Sequence, residues 1–163
     1  MKIKRSWYGI TATLAGLGGV GKMPGTLGTA VSFFILVMAG GVHPLILLAV
    51  IAVGGIASDR YAKERGVEDP RDVVIDEVVG YWTSMVFLET TMTNAVMAFF
   101  LFRVIDIVKP FPVGTMERLP GGIGIMADDI CGGLIVNLIL RLISWLLVAD
   151  RLGLIGLLSR VGR

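Results

Sequence analysis

Charged side chains are almost absent from the first third of the sequence. Between Arg5 and Asp59 the single formally charged residue is Lys22, and residues 23–58 carry none. The whole chain is 55% hydrophobic and 17% charged, against about 25% charged residues in soluble globular domains. One membrane span needs roughly 20 apolar residues, so this stretch is long enough for a pair of membrane helices. The composition predicts a small membrane protein, and the alternative is a soluble helical bundle with a very apolar core.

Cysteine and histidine are nearly missing as well. Cys131 has no second cysteine with which to form an intrachain disulfide, so the fold does not depend on oxidation. The net charge of +2 is small, and the basic N-terminus suits an anionic leaflet or simple orientation rather than a nucleic acid. A cleaved signal peptide over residues 7–20 is an alternative, but this run is rich in glycine and has no clear small-x-small cleavage site.

Apolar segments separated by turns and charged loops predict an all-α fold. We expect a small polytopic membrane bundle of helical hairpins, forming a single domain over residues 1–163. The predicted apolar helices cover residues of about 27–41, 44–58, 78–88, 90–102 and 130–149, and an amphipathic tail at 150–163 is expected to lie in the membrane interface.

The basic residues predict the orientation of these hairpins. The turns at 40–44 and 89–94 contain no Lys or Arg. The opposite helix ends and their loops hold Lys2, Lys4, Arg5, Arg60, Lys63, Arg65, Arg71, Arg103, Lys109 and Arg118. The positive-inside rule places these ends in the cytoplasm.

Residues 16–29, GLGGVGKMPGTLGT, carry parts of two nucleotide-binding signatures. A dinucleotide fold requires an acidic residue about 20 positions further on, and a P-loop requires Ser or Thr after the lysine. The first acid is Asp59 and Met23 follows Lys22, so we expect no nucleotide. The glycines, the charge of Lys22 and Thr26 at a predicted helix N-cap still favour phosphate binding. The alternative is a flexible turn with a solvated lysine.

Acidic residues stand in tight groups beside apolar segments. They are Asp76 and Glu77 in IDEVVGYW, Asp106 in FRVIDIVKPFP, and Asp128 and Asp129 just before the predicted 130–149 helix. The hairpin arrangement brings all of them to one membrane face. Clustered carboxylates in apolar surroundings are costly unless they are paired or bind a metal. Magnesium takes oxygen ligands and often shares them with a substrate phosphate. N-capping or surface salt bridges are the alternative for each acid taken singly.

Four motifs, in order along nearly the whole chain, resemble those of one known family. They are residues 21–29 (GKMPGTLGT), 76–80 (DEVVG), 102–113 (FRVIDIVKPFPV) and 121–133 (GGIGIMADDICGG). Together they are similar to the motifs of the phosphatidylglycerophosphatase A family, although Ile105 stands where the family pattern often has Phe. The resemblance implies a membrane enzyme that uses magnesium to remove the terminal phosphate of phosphatidylglycerophosphate, which yields phosphatidylglycerol.

Hydrolysis of a phosphate monoester requires charges that neutralise the phosphoryl oxygens and a group that aligns the attacker, and this requirement assigns roles to the polar residues. The expected catalytic residues are Asp76, Glu77, Asp106, Asp128 and Asp129. Magnesium is expected on Asp76, Glu77, Asp128 and Asp129, with Asp106 either a further ligand or the general base. The substrate phosphate is expected to contact Lys22, Thr26, Arg103 and Lys109. The sequence leaves open whether an activated water or an aspartate attacks phosphorus.

The expected partners are phosphatidylglycerophosphate and membrane lipids, without nucleic acid or nucleotide. The expected location is the bacterial inner membrane, as a multi-pass protein whose active site faces the cytoplasm. One alternative is a small transporter or channel with a cation-binding acidic cluster, which predicts acids spread through helix centres. Another is a lipid phosphotransferase of the CDP-alcohol type, whose Asp-Gly and Ala-Arg pattern is absent from the sequence.

Overall fold

The computed structural model describes residues 6–151, with side chains to residue 149, and this part of the chain is helical without strands. A short 3₁₀ turn, Leu17–Gly19, joins the first two α-helices. The α-helices are α1 (Trp7–Ala12), α2 (Pro24–Ala39), α3 (Pro44–Arg65), α4 (Ile75–Met85), α5 (Met92–Val108), α6 (Val113–Met116) and α7 (Gly121–Arg151). The all-α prediction is confirmed. The basic residues Lys2, Lys4 and Arg5 lie outside the described residues. The expected interfacial tail also lies outside them from residue 152 onward.

Local sequence signals explain where these helices begin and end. Proline opens both α2 and α3, where its missing N–H costs nothing. The His43 Nδ1 accepts a hydrogen bond from Leu45 N at the start of α3. Gly40 and Gly66 end α2 and α3 in the left-handed conformation that glycine adopts without strain. Helix ends therefore fall near the predicted turns, although α3 and α5 continue past their predicted ends into the charged segments.

Three helices begin earlier than the sequence indicates. Helix α4, predicted from residue 78, starts at Ile75, so Asp76 and Glu77 lie in its first turn rather than before it. Because α2 starts at Pro24, Thr26 is its third residue, and the predicted N-cap role of Thr26 is wrong. Helix α7 starts at Gly121, so Asp128 and Asp129 lie inside it rather than before it. The glycines there permit close packing, since a Cβ on Gly122 would collide with the carbonyl oxygen of Gly55 in α3.

Helix α4 lies at the centre of the bundle, packed against α2, α3, α5 and α7. It contributes to both hydrophobic clusters, through Val79 on one side and Tyr81 on the other. Gly80 faces α7 closely, because a Cβ there would lie 2.8 Å from the carbonyl oxygen of Asp129 and would overlap Phe102. This short helix therefore brings its first turn, which contains Asp76 and Glu77, against α7.

Two helices are long and apolar enough to cross a membrane, judged by length and composition: Pro44–Arg65 and Gly121–Ala149 among the described residues. Large apolar side chains also cover the surface, for example Phe34 on α2 and Trp145 on α7, which are 64% and 63% exposed. Both observations fit the predicted association with a membrane.

Arg141 is a charged residue inside the apolar part of α7, and its side chain is paired with Asn137 and with backbone carbonyl groups. The Asn137 Nδ2 donates to the carbonyl oxygens of Ser84 and Val86, at 3.0 and 2.9 Å. The Arg141 Nε donates to Asn137 Oδ1 at 2.7 Å, and its Nη2 donates to the carbonyl oxygen of Phe87 at 3.3 Å. These donors satisfy carbonyl groups at and beyond the end of α4 that its own helix leaves without partners.

Candidate active site

The predicted acids meet at one end of the bundle, around a cavity of about 140 Å³. Its walls are formed by the end of α5, the first turn of α4, the second and third turns of α7 and the loop between α3 and α4. Six carboxyl groups and two basic side chains line it: Asp69, Asp76, Glu77, Asp106, Asp128, Asp129, Arg71 and Lys109. The excess of negative charge makes the cavity a place for cations.

Three of these acids lie closest together. One carboxylate oxygen from each of Glu77, Asp106 and Asp129 lies within 4.8 Å of the other two. Glu77 and Asp129 are buried, at 7% and 5% exposure. An all-carboxylate oxygen set is of the kind that suits magnesium, manganese or calcium, and it disfavours metals that prefer sulfur or imidazole. The three residues therefore fit a hard divalent cation, and we call them the acidic triad.

Arg103 binds two members of the acidic triad. Its Nη1 donates to Glu77 Oε2 and lies 3.1 Å from Asp106 Oδ2. The buried Thr29 hydroxyl donates to the same Glu77 oxygen at 2.9 Å. Arg103 and Asp106 lie three residues apart on α5, on one face of the helix, and form this ion pair. Arg103 offsets part of the repulsion between the carboxylates and brings a fixed positive charge to the cavity.

Lys109 closes the cavity from the end of α5. Its Nζ lies 2.8 Å from Asp128 Oδ2 and 3.0 Å from Glu117 Oε1. Desolvation acts to lower the pKa of Lys109, but the hydrogen bonds to Asp128 and Glu117 outweigh it and raise the pKa above its ordinary value. Lys109 is therefore a permanent cation, and Asp128 is occupied by this pairing instead of joining the acidic triad.

The glycines of the opening motif serve helix packing. A Cβ on Gly25 would collide with the Glu77 carboxylate and would lie 3.2 Å from Arg103 Nη1. A Cβ on Gly28 would lie 3.0 Å from the Val74 Cβ. Glycine at these positions lets the start of α2 approach the acidic triad.

Gly25→Ala should lower the phosphatase activity that the family resemblance implies by at least about tenfold, because the added methyl group would collide with the Glu77 carboxylate and displace it. The check is phosphate release in detergent micelles, together with the thermal unfolding midpoint. Gly55→Ala is the matched control, since a Cβ there meets Met126 Cγ at 3.8 Å, an ordinary contact. Equal activity of the two variants would contradict the packing role of Gly25.

Lys22 and Thr26 lie apart from this arrangement. Lys22 is exposed, and neither residue lines the cavity, although Gly25 of the same motif does. Their phosphate contacts stay predictions. The structure thus brings seven of the nine predicted site residues together: Asp76, Glu77, Arg103, Asp106, Lys109, Asp128 and Asp129.

Sequence reasoning missed four polar residues around the cavity: Thr29, Asp69, Arg71 and Glu117. Asp69 and Arg71 lie in the loop between α3 and α4, for which the basic residues predict only a cytoplasmic location. Burial raises the pKa of the Asp69 carboxyl, and the charge of Lys109 opposes this. Thr29 was visible as the last residue of the opening motif, but nothing in the sequence connects it with Glu77.

Known sequences match this chain over most of its length. The sequence profile of the phosphatidylglycerophosphatase A family matches residues 10–144. The chain belongs to this family. Phosphatidylglycerophosphatase A of Escherichia coli strain K12 is 34% identical over 141 residues, covering 83% of this chain and 81% of the relative. Phosphatidylglycerophosphatase A of Haemophilus influenzae is 31% identical over 148 residues, covering 81% and 86%.

Membership in the phosphatidylglycerophosphatase A family makes the chain a phosphatase, which confirms the enzyme prediction over the transporter alternative. A further relative, from Bacteroides thetaiotaomicron, is named provisionally as a phosphatidylinositol-3-phosphatase. It is 37% identical over 83 residues, about half of each chain. No solved structure matches the chain.

Proposed function

We propose that this protein removes the terminal phosphate of phosphatidylglycerophosphate, with magnesium held by the acidic triad. The observation that carries the proposal is the buried meeting of Glu77, Asp106 and Asp129 in a phosphatidylglycerophosphatase A family chain. When bound, the ion supplies positive charge that stabilises the phosphoryl oxygens.

Lys109, which lines the cavity, and Arg103, which contacts the acidic triad, provide the second part of the site. Arg103 and Lys109 are fixed by carboxylates on different helices, so their charges are positioned before substrate arrives. We assign them to the phosphoryl oxygens, where preorganised charge lowers the barrier because it needs no reorganisation during the reaction. Arg71, in the loop between α3 and α4, adds a further basic side chain to the lining of the cavity. Lys22 and Thr26 keep a proposed role in drawing the anionic head group toward the start of α2.

Asp76 and Asp128 line the same cavity outside the acidic triad. Asp128 orients Lys109 through their 2.8 Å ion pair. Asp76 is less buried than Glu77 and accepts a hydrogen bond from Glu77 N at 2.9 Å through one oxygen. We assign Asp76 as the residue that takes the proton from the attacking group, rather than as a metal ligand, and we keep Asp128 as a further proposed ligand.

Substrate choice tests this function directly. The purified protein in detergent micelles should release phosphate faster from phosphatidylglycerophosphate than from glycerol 3-phosphate, because binding energy from the lipid orients the phosphate. Phosphatidylinositol 3-phosphate, suggested by the Bacteroides relative, is the competing lipid. A higher kcat/KM on that lipid would reassign the substrate, and equal rates on the soluble ester would contradict a lipid phosphatase.

We also propose a multi-pass protein of the bacterial inner membrane with this cavity on the cytoplasmic side. The cavity lies at the basic end of the hairpins. The turn after α2 and the segment after α4 meet at the other end, where a Cβ on Gly41 would lie 3.0 Å from Thr90 Oγ1.

Cysteine labelling in intact cells checks this orientation. In a Cys131→Ser background, cysteines placed at Gly41 and Thr91 should react with an impermeant reagent from the periplasm. Cysteines at Arg65 and Glu117 should react only after the membrane is opened. Labelling of Arg65 and Glu117 from opposite sides would contradict a common catalytic face.

A further inference from the structure

An apolar groove lies between α3 and α7, away from the acidic cavity. Its volume is about 690 Å³, within the range of sites for small hydrophobic ligands. Apolar side chains form most of its walls: Ile51, Ala52, Ile56, Ile123, Met126 and Ile130. These helices are the two described helices that are long and apolar enough to cross a membrane. Where they cross a bilayer, the groove is open to acyl chains.

One end of the groove carries a positive charge. Arg60 lines that end, and its guanidinium carbon lies 5.3 Å from the centre of the Trp7 ring. Within the described part of the chain, no ion pair joins Arg60 to a carboxylate. Arginine and tryptophan together near a helix end are typical of the membrane interface, where a cation meets lipid phosphates.

Asp59, the acidic residue that lines the groove, is already paired with other groups of the protein. Asp59 Oδ2 lies 2.7 Å from Lys63 Nζ, and Asp59 Oδ1 accepts a hydrogen bond from Gly122 N at 3.3 Å. These contacts tie α3 to the first turn of α7 and neutralise the carboxylate. Of the two charged residues that line the groove, Asp59 is paired in this way, and Arg60 supplies the positive charge.

We propose that this groove binds one anionic diacyl phospholipid, with its phosphate on Arg60 and an acyl chain between α3 and α7. The site is separate from the acidic cavity, because the two use different faces of α7. Met126 and Ile130 face the groove, whereas Ile125 and Asp129 face the cavity. The charge of Arg60 selects the occupant: an anionic head group gains an electrostatic attraction that a zwitterionic head group largely lacks.

Native mass spectrometry of the full chain in detergent tests the head-group contact. The probes are phosphatidylglycerol and phosphatidylcholine with identical acyl chains. The wild-type protein should retain phosphatidylglycerol more tightly, and Arg60→Gln should reduce that preference about fivefold, the effect of one basic residue at a lipid surface. Arg118→Gln removes an exposed cation outside the groove and should leave the preference unchanged. An unchanged preference in Arg60→Gln would overturn the proposal. Phosphatidylglycerol is also the product of the proposed reaction and can bind at the acidic cavity. The effect of Arg60→Gln therefore tests the groove, because Arg60 does not line that cavity.

Gly55→Leu tests the acyl-chain contact without touching the charge. A Cβ at Gly55 fits, since its nearest neighbour is Met126 Cγ at 3.8 Å, and the larger side chain fills the groove. This variant should lose retention of both lipids while keeping the wild-type unfolding midpoint. Retention equal to wild type would contradict the groove as the site.

Photo-crosslinking identifies the occupant in a bilayer. A benzophenone amino acid at Ile56, which is 52% exposed, is activated in nanodiscs of equal amounts of phosphatidylglycerol and phosphatidylcholine. Crosslinks to phosphatidylglycerol, reduced by Arg60→Gln, are expected. Crosslinks to another segment of this chain or to a second copy would overturn the proposal.

Discussion

Asp129→Asn should reduce phosphatase activity by at least about a hundredfold, because it removes one of three carboxylates that hold the metal ion. The variant keeps the shape of the buried side chain, so the protein should stay folded in detergent. Its affinity for Mg²⁺ should fall in parallel, as measured by the Mg²⁺ concentration that gives half-maximal phosphate release. Excess Mg²⁺ should restore part of the activity.

Two further variants make this result specific. Glu89→Gln removes an exposed acid at the opposite end of the bundle and should leave both activity and Mg²⁺ dependence unchanged. Asp76→Asn should lose activity without rescue by Mg²⁺, because it lacks the proton acceptor rather than a member of the acidic triad. Asp129→Asn with wild-type Mg²⁺ dependence would show that the acidic triad holds no catalytic ion.

Arg103→Gln should change the affinity for Mg²⁺ in the opposite direction from Asp129→Asn. Its kcat/KM should fall by about 10- to 100-fold, the value of a lost charge-assisted hydrogen bond to phosphate. Its apparent affinity for Mg²⁺ should rise, because the guanidinium no longer competes for Glu77 and Asp106. Steady-state kinetics over a range of Mg²⁺ concentrations separates the two effects.

Arg118→Gln is the control for Arg103→Gln, since Arg118 is an exposed cation outside the cavity. An activity loss in Arg103→Gln that is accompanied by weaker Mg²⁺ binding would contradict the assignment to phosphate. That result would mean that Arg103 serves to place the carboxylates. The unfolding midpoint should be measured with Mg²⁺ present, because the ion replaces the charge that the substitution removes.

The charge pattern alone predicted the class of fold and the end of the bundle where the site lies. Charged residues are expensive inside a bilayer, so their absence from residues 23–58 predicted apolar helices there. Their return at Asp59 does not end α3, which continues to Arg65. Hairpins then bring alternate ends together, which explains why acids far apart in sequence were expected to meet, and they do.

The sequence could not predict which of the acids form the acidic triad. Neighbouring residues of a helix point about 100° apart, so the pairs at 76–77 and 128–129 divide between the acidic triad and the rest of the cavity. Glu77 and Asp129 meet Asp106, whereas Asp128 pairs with Lys109. Which member of each pair faces Asp106 depends on helix rotation, which is set by packing.

The start of α7 could not be predicted for a related reason. The charges of Asp128 and Asp129 place the start of the apolar helix at residue 130, so the GGIG segment at 121–124 falls outside the prediction. In the structure the same residues are helical, because α7 presses against α3 at Gly122 and against α4 at Gly133. Close helix contacts of this kind become visible only when the partner helix is placed.

Phosphate release from phosphatidylglycerophosphate with and without a chelator tests the central claim most directly. The purified wild-type protein in detergent micelles should lose nearly all activity when divalent cations are removed, and Mg²⁺ added in excess of the chelator should restore it. Full activity in the chelator would contradict catalysis by a metal ion held on Glu77, Asp106 and Asp129.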